Sequence, residues 1–267
     1  MLPKVDYHMH TPLCGHATGE PSEYAEQALK VGLEEIGFSD HAPLVTREDA
    51  RYTMSYLDLP GYLRSIEELK QEYAGRLSVK IGLEADFVPG FESKTKAILA
   101  AYPYDFVIGS IHFIDAWPFD DPDEQVKWRD KDIDRVYHDY YELLRLSAKS
   151  GLYDIMGHVD LVKKFGHRPL QDMTEEIEKT AKVFKETGMV VEINTSGLRK
   201  PVKEIYPAES VLRVYQRLGV PIIFSSDSHD PKDVGRDYDK ARDLAKAVGY
   251  TEYCMFKQRK IERKVKI

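Results

Sequence analysis

The chain has 267 residues and a formal net charge of -7, with 42% hydrophobic and 31% charged residues. This is a globular profile with length enough for a sizeable core, and it excludes a chain dominated by disorder. The acidic balance argues against a broad electrostatic grip on nucleic acid or an anionic membrane.

No run is long and apolar enough to span a bilayer, and the opening MLPKVDYHMH lacks the apolar centre of a secretory signal. A cytoplasmic location is expected, with Cys14 and Cys254 as free thiols. No low-complexity stretch or linker divides the chain, so residues 1–267 are expected to form one domain.

Taken in order, Val5–His10 predicts a strand. Tyr24, Ala25, Ala28 and Leu29 then recur at helical spacing within Ser22–Val31. A strand at Glu35–Asp40 precedes a helix near Leu57–Tyr73, and a strand at Ser78–Ala85 precedes a short helix at Ser93–Ala101. The strand Phe106–Ile111 is followed by a long helix over Asp132–Lys149. Asp154–Gly157 pairs with a helix at Thr174–Thr187 that Gly188 stops. Val190–Asn194 precedes the helix Ala208–Leu218, and Pro221–Ser226 precedes Asp233–Val248. The basic tail adds a strand at Tyr253–Phe256. Seven βα units imply a parallel sheet. Within about 250 residues they fit a closed barrel. An open doubly wound sheet is the alternative, but no glycine-rich nucleotide fingerprint follows the first strand.

The polar residues gather at one place in this scheme. His8 and His10 end the first strand, and His16 lies in the loop after it. Asp40 and His41 end the second strand, Glu84 the third, His112 the fourth, His158 the fifth and Asn194 the sixth. Asp227 and His229 end the seventh. In a βα barrel these ends converge on one face. Only His138 and His167 fall elsewhere, and both are read as structural.

Neutral imidazoles together with carboxylates make good ligands for zinc, iron or manganese. In HMH the two histidines share a face and can reach one ion. The candidate ligands exceed what one tetrahedral ion takes, so several ions are expected. Clustered ions suit phosphoryl transfer, because they activate a water, bind phosphate oxygens and stabilise the departing alkoxide.

HMH, CGH, SDH, GLEADF, GSIHF, GHVD and DSH, in this order from Asp6 to about Asp230, resemble the polymerase-and-histidinol-phosphatase (PHP) superfamily. Within it, GSIHFIDAWPFDD and INTSGLRK are most similar to the monofunctional histidinol-phosphatases. The resemblance implies a distorted (β/α)7 TIM-like barrel holding three divalent ions. It implies His8, His10, Glu84 and Asp227 around the first ion. Glu84, His112 and His158 would surround the second, and His16, His41 and His229 the third. It also implies hydrolysis of L-histidinol phosphate to L-histidinol and phosphate in histidine biosynthesis. Another PHP phosphoesterase, a nuclease or a protein tyrosine phosphatase, is the alternative, as is a non-catalytic metal-binding accessory domain.

On this reading Glu84 and Asp227 are catalytic as well as ligating. Asp40 either orients an imidazole or serves as an acid. A small phosphomonoester is the expected partner, held by Arg199 and by Lys163 and Arg168. A homo-oligomer is left open. The loop from Phe113 to about Trp128 is expected to select the alcohol. Its aromatics Trp117 and Phe119 would pack on a ring, and Asp115, Asp120 and Asp121 would attract an ammonium group.

Overall fold

A computed structural model describes residues 2–47 and 49–267. Seven strands form one parallel sheet: β1 (Val5–Asp6), β2 (Glu35–Phe38), β3 (Ser78–Asp86), β4 (Phe106–Ser110), β7 (Ile155–Met156), β8 (Val190–Asn194) and β9 (Ile222–Ser225). Two further strands, β5 (Phe113–Ile114) and β6 (Trp117–Pro118), make a small hairpin after β4. The sheet order follows the chain from β1 to β9. It closes where β1 and β9 end: Met9 bridges Ser228, His10 N–H donates to Ser228 O at 2.9 Å, and Ser228 N–H donates to His8 O at 3.0 Å. The expected barrel is therefore found, and the open sheet is not.

The crossovers are α1 (Pro21–Val31), α2 (Leu59–Glu72), α3 (Glu92–Leu99), α4 (Ile133–Lys149), α5 (Thr174–Thr187), α6 (Glu209–Arg217) and α7 (Tyr238–Val248). Each buries an apolar stripe on the barrel, as Val136, Tyr140, Tyr141 and Leu144 do in α4. α1 starts on a capping box between Glu20 and Glu23 and stops at Gly32, in left-handed conformation with φ 81°. α7 begins later than the expected Asp233. A 3-10 turn at Pro231–Asp233 precedes it, and Gly235 and Asp237 both take positive φ, which breaks the helical path.

All of β8 is buried, as expected of a parallel strand covered on both sides. The floor of the barrel is aromatic. Phe106 stacks on Tyr7 at 4.7 Å between centroids. Its ring occupies the space a Cβ would take at Gly37 (2.5 Å) or Gly82 (2.6 Å), which explains two glycines inside strands.

The C-terminal strand is longer than expected and has a partner. β10 (Glu252–Lys257) pairs antiparallel with β11 (Lys260–Lys266). This hairpin covers the floor: Phe256 N–H donates to Tyr7 Oη at 3.1 Å, Lys4 N–H to Tyr253 Oη at 3.1 Å, and Arg259 pairs with Asp154. The opposite end of the barrel is left open for chemistry.

Candidate metal centre

Glu84, at the end of β3 and nearly fully buried, sits at the middle of that open end. Its two oxygens face different neighbours. Oε1 lies 3.0 Å from His158 Nε2 and 3.7 Å from His112 Nε2, and it accepts from Ser110 Oγ at 2.5 Å. Oε2 lies 3.2 Å from His8 Nε2, 3.6 Å from His10 Nε2 and 2.9 Å from His41 Nδ1. Asp227 Oδ1 closes the first group, at 3.4 Å from His10 Nε2 and 3.8 Å from His8 Nε2. On the outer side, His16 Nε2 and His229 Nε2 stand 3.1 Å apart, with the His41 ring 5.4 Å from that of His16.

Bonds of ~2.0–2.1 Å to a tetrahedral ion put ligand atoms roughly 3.3 Å apart, and most of these separations fall near that value. Five of the atoms, His8 Nε2, His10 Nε2, His10 Nδ1, Glu84 Oε2 and His158 Nδ1, are buried without a hydrogen-bond partner. Buried polar atoms rarely stay so. Of these, His8 Nε2 and His10 Nε2 are turned toward the Glu84 and Asp227 carboxylates, and Glu84 Oε2 faces both rings. The donor set therefore fits divalent ions, and the nine ligand candidates expected from sequence are brought together.

The rings are aimed from behind. His8 Nδ1 lies 2.6 Å from Glu192 Oε1, His112 Nδ1 lies 3.0 Å from Asp86 Oδ1, and His16 Nδ1 lies 2.9 Å from Cys14 O. Such contacts fix the tautomer and leave the other nitrogen free for a metal. Glu192 also accepts from the backbone N–H of His158 at 3.0 Å and from Asn194 Nδ2 at 2.9 Å. Two of the ligand candidates, His158 (φ 24°) and Asp227 (φ 51°), have a positive φ. Non-glycine residues hold such conformations where the surroundings enforce them, often at functional sites.

Glu192 and Asp86 were not anticipated. Their signal is present in the sequence: each is a carboxylate in an otherwise largely apolar strand, and Asp86 lies two residues after Glu84, on the same face.

Asp40 is fully buried. It accepts from Thr11 N–H (3.1 Å) and the Thr11 hydroxyl, from His41 N–H (2.8 Å), and lies 3.5 Å from His10 Nδ1. It stands behind the His10 ring and does not line the cleft, so it is not placed to protonate a leaving group. Cys14 is buried and free.

Electrostatics divides the histidines. For His8, burial opposes the charged ring, but the carboxylates of Glu192, Asp227 and Glu84 outweigh it and hold the pKa well above the ordinary value. For His10, burial is likewise outweighed by Asp227 and Asp40. For His112, burial is outweighed by Asp86, and the pKa rises to about 10. Burial and the neighbouring His41 and His10 rings push His16 down to about 4, and burial with His10 lowers His229. Burial also lowers His41.

In the metal-free protein at pH 7 His8 and His112 therefore carry protons, and His16, His41 and His229 do not. Filling the inner groups with zinc is expected to release about two protons per chain from these imidazoles, and filling the outer group none, since ligands must be deprotonated. Titration of metal-free protein in weak buffer with an indicator dye checks this. Metal uptake without proton release would contradict it.

The cleft over Glu84 has a volume of about 400 Å³. Its cations are Arg51, Lys164 and Lys200, so three expectations need correcting. Lys163 is buried and donates to Ile205 O at 2.8 Å and to Asp160 at 2.7 Å. Arg168 pairs with Glu204 at 2.6 Å on the surface. Arg199 donates to Ser226 O at 2.6 Å and lies 3.3 Å from Asp233, behind Asp227. In two of these cases the next residue in the chain faces the cleft instead, because neighbours on a 3-10 turn point about 120° apart.

The loop after β4 is also corrected. Trp117, Phe119 and Trp128 pack on one another and on Tyr140 of α4, and Asp115 sits at the exposed tip of the β5–β6 hairpin. Asp120 and Asp121 do line the cleft, with Phe113, Pro118 and Pro122. His138 pairs loosely with Glu176 at 3.9 Å, and His167 stacks on Trp128; neither lines the cleft.

A model of the PHP domain matches residues 6–196. The chain belongs to the PHP family. It is 42% identical over 258 residues to a probable histidinol-phosphatase of Deinococcus radiodurans, covering 96% of this chain and 98% of the relative. It is 35% identical to the histidinol-phosphatase of Bacillus subtilis, over 89% of this chain and 98% of that one. Among solved structures, it superposes on histidinol phosphate phosphatase from Lactococcus lactis in complex with zinc, L-histidinol and phosphate. The TM-score there is 0.85 at 26% identity, over 98% of this chain and 100% of the other. This PHP chain is thus similar to histidinol-phosphatases along nearly its whole length, not only through the barrel core.

Proposed function

We propose that the protein is a metal-dependent phosphatase that hydrolyses L-histidinol phosphate to L-histidinol and phosphate in histidine biosynthesis. The observation that carries this is the central Glu84, whose two oxygens each face a separate set of imidazoles inside a cleft that Arg51, Lys164 and Lys200 also line. The full-length likeness to histidinol-phosphatases supports the choice of substrate. The whole chain works as one barrel domain, with the C-terminal hairpin as its floor. No helix among the described residues is long and apolar enough to cross a membrane.

His8, His10, Glu84 and Asp227 would hold one ion. Glu84, His112 and His158 would hold a second, and His16, His41 and His229 a third, drawn from zinc, iron or manganese. When bound, such ions supply Lewis acidity and an activated water for in-line displacement at phosphorus.

The protein's own groups do the rest. Lys164 and Lys200 offer ammonium groups to the phosphate oxygens. Asp120 meets Lys164 at 2.9 Å. Burial opposes its charge, but Lys164 and His112 outweigh that and bring its pKa to about 2, so it stays a carboxylate and donates no proton. Asp120 and Asp121 present negative charge to the substrate ammonium group. Phe113, Pro118 and Pro122 give the imidazole an apolar wall.

The test is a comparison of kcat/KM for histidinol phosphate, a generic aryl phosphate and a short oligonucleotide. A preference of about a hundredfold for the first over the second corresponds to roughly 2.7 kcal/mol of differential transition-state binding. Equal rates on those two would reduce the protein to an unspecific phosphatase. Preferred cleavage of the oligonucleotide would make it a nuclease.

A further inference from the structure

Lys163 is a cation with almost no access to water, yet it makes no contact with the cleft. It follows His158 on the loop after β7, in the 3-10 turn Leu161–Lys163. Its ammonium group reaches across to the loop after β8, where it donates to Ile205 O at 2.8 Å and meets Glu204 at 3.2 Å. Asp160, on its own loop, accepts from it at 2.7 Å and from Ala208 N–H at 2.7 Å. Val202 N–H donates to Lys164 O at 3.0 Å. One buried ion group therefore stitches together two loops.

Each of those loops carries one cleft cation, Lys164 on the first and Lys200 on the second. Two ammonium groups on neighbouring loops repel each other, and Asp120, 2.9 Å from Lys164, offsets part of that repulsion from a third loop without tying the first two together. Without a tie between the loops, nothing would keep the two ammonium groups facing the same cleft. A buried charge is costly to maintain and often earns its place through specificity of arrangement.

We infer that Lys163 is a positioning residue that holds Lys164 and Lys200 at the spacing of a phosphate group. This rests on the phosphatase reading above and adds to it how the substrate's phosphate is gripped. Lys163 touches neither substrate nor the ligand candidates, so its effect is on binding and not on the chemical step.

The experiment is steady-state kinetics of the metal-loaded full chain with Lys163→Met, using histidinol phosphate as substrate and inorganic phosphate as a competitive probe. KM and the inhibition constant for phosphate are expected to rise together by about tenfold or more, with kcat within about threefold of the parent and metal content unchanged. A purely structural role would lower thermal stability and leave both constants where they were. That result in a folded variant overturns the inference, and so does a fall in kcat with lost metal. If Lys163→Met does not fold, Glu204→Gln removes the half-exposed partner and keeps the other two contacts. A smaller parallel rise in both constants is then expected, and unchanged constants again overturn the inference. Failure of the parent protein to be inhibited by phosphate, or to hydrolyse any phosphomonoester, would sink the phosphatase reading itself.

Discussion

Replacing Glu84 by Gln is expected to lower kcat/KM by about a thousandfold or more, roughly 4 kcal/mol of transition-state stabilisation. The metal bound per chain should fall with it. The carboxylate has one oxygen facing His112 and His158 and the other facing His8, His10 and His41. An amide of the same shape keeps one acceptor and puts an NH2 group where the second acceptor stood. It also removes the charge that the surroundings are built to hold. Burial alone would raise the pKa of Glu84, yet His41 and His8 keep it well below the usual carboxylate range. Elemental analysis should find more than one transition-metal ion per parent chain and fewer in the variant. His138→Ala is the control, since that ring is half-exposed on α4 and outside the cleft. If Glu84→Gln and His138→Ala both kept activity and metal, the site would be misplaced. A parent chain fully active with one ion or none would refute the three-ion arrangement.

Glu192→Gln should cost about 10–100-fold in metal affinity or activity, the usual effect of losing a carboxylate behind a ligating histidine. Glu192 Oε1 faces the Nδ1 of His8, and Oε2 accepts from His158 N–H and Asn194 Nδ2. A glutamine cannot serve both sides. Turning its NH2 toward the two donors sets donor against donor twice. Turning it toward His8 makes Nδ1 the acceptor and moves the ring proton to Nε2, the atom pointed at Glu84. Either His158 and Asn194 lose their acceptor, which loosens the backbone that places the His158 ligand, or His8 stops being a ready ligand. Competition with a chelator of known affinity measures the loss, and an affinity within about threefold of the parent would show that the tautomer is set by something else.

The reach of the sequence differs between the two halves of the site. The ligand candidates could be placed because each follows a strand with strong apolar patterning, and a parallel barrel sends every strand end to one rim. Once β1 through β9 are recognised, His8, His10, His41, Glu84, His112, His158, Asp227 and His229 have nowhere else to go. The motif order then points to the family without any geometry. Helix and strand positions follow from the same periodicity. The late start of α7 escaped it because Gly235 and Asp237 turn the backbone through positive φ, which leaves no periodic trace.

The cations, the selectivity loop and the supporting carboxylates were decided by tertiary structure. Lys163 and Lys164 are chemically equivalent neighbours, as Arg199 and Lys200 nearly are, and 3-10 turns without amphipathic periodicity do not say which one faces the cleft. Packing decides: Lys163 finds Asp160 and Ile205 O, Arg199 finds Ser226 O and Asp233, and the next residue in each case is left to the opening. Trp117 and Phe119 read equally well as binding or core residues until Trp128 and Tyr140 are brought beside them from later in the chain. Glu192 and Asp86 show why the support was hidden. A buried carboxylate is tolerable only beside a partner, and the histidines that stabilise these two lie 184 and 26 residues away in sequence. Local pattern fixes which atoms arrive at the rim, while their aim depends on contacts between distant segments that only the closed barrel brings together.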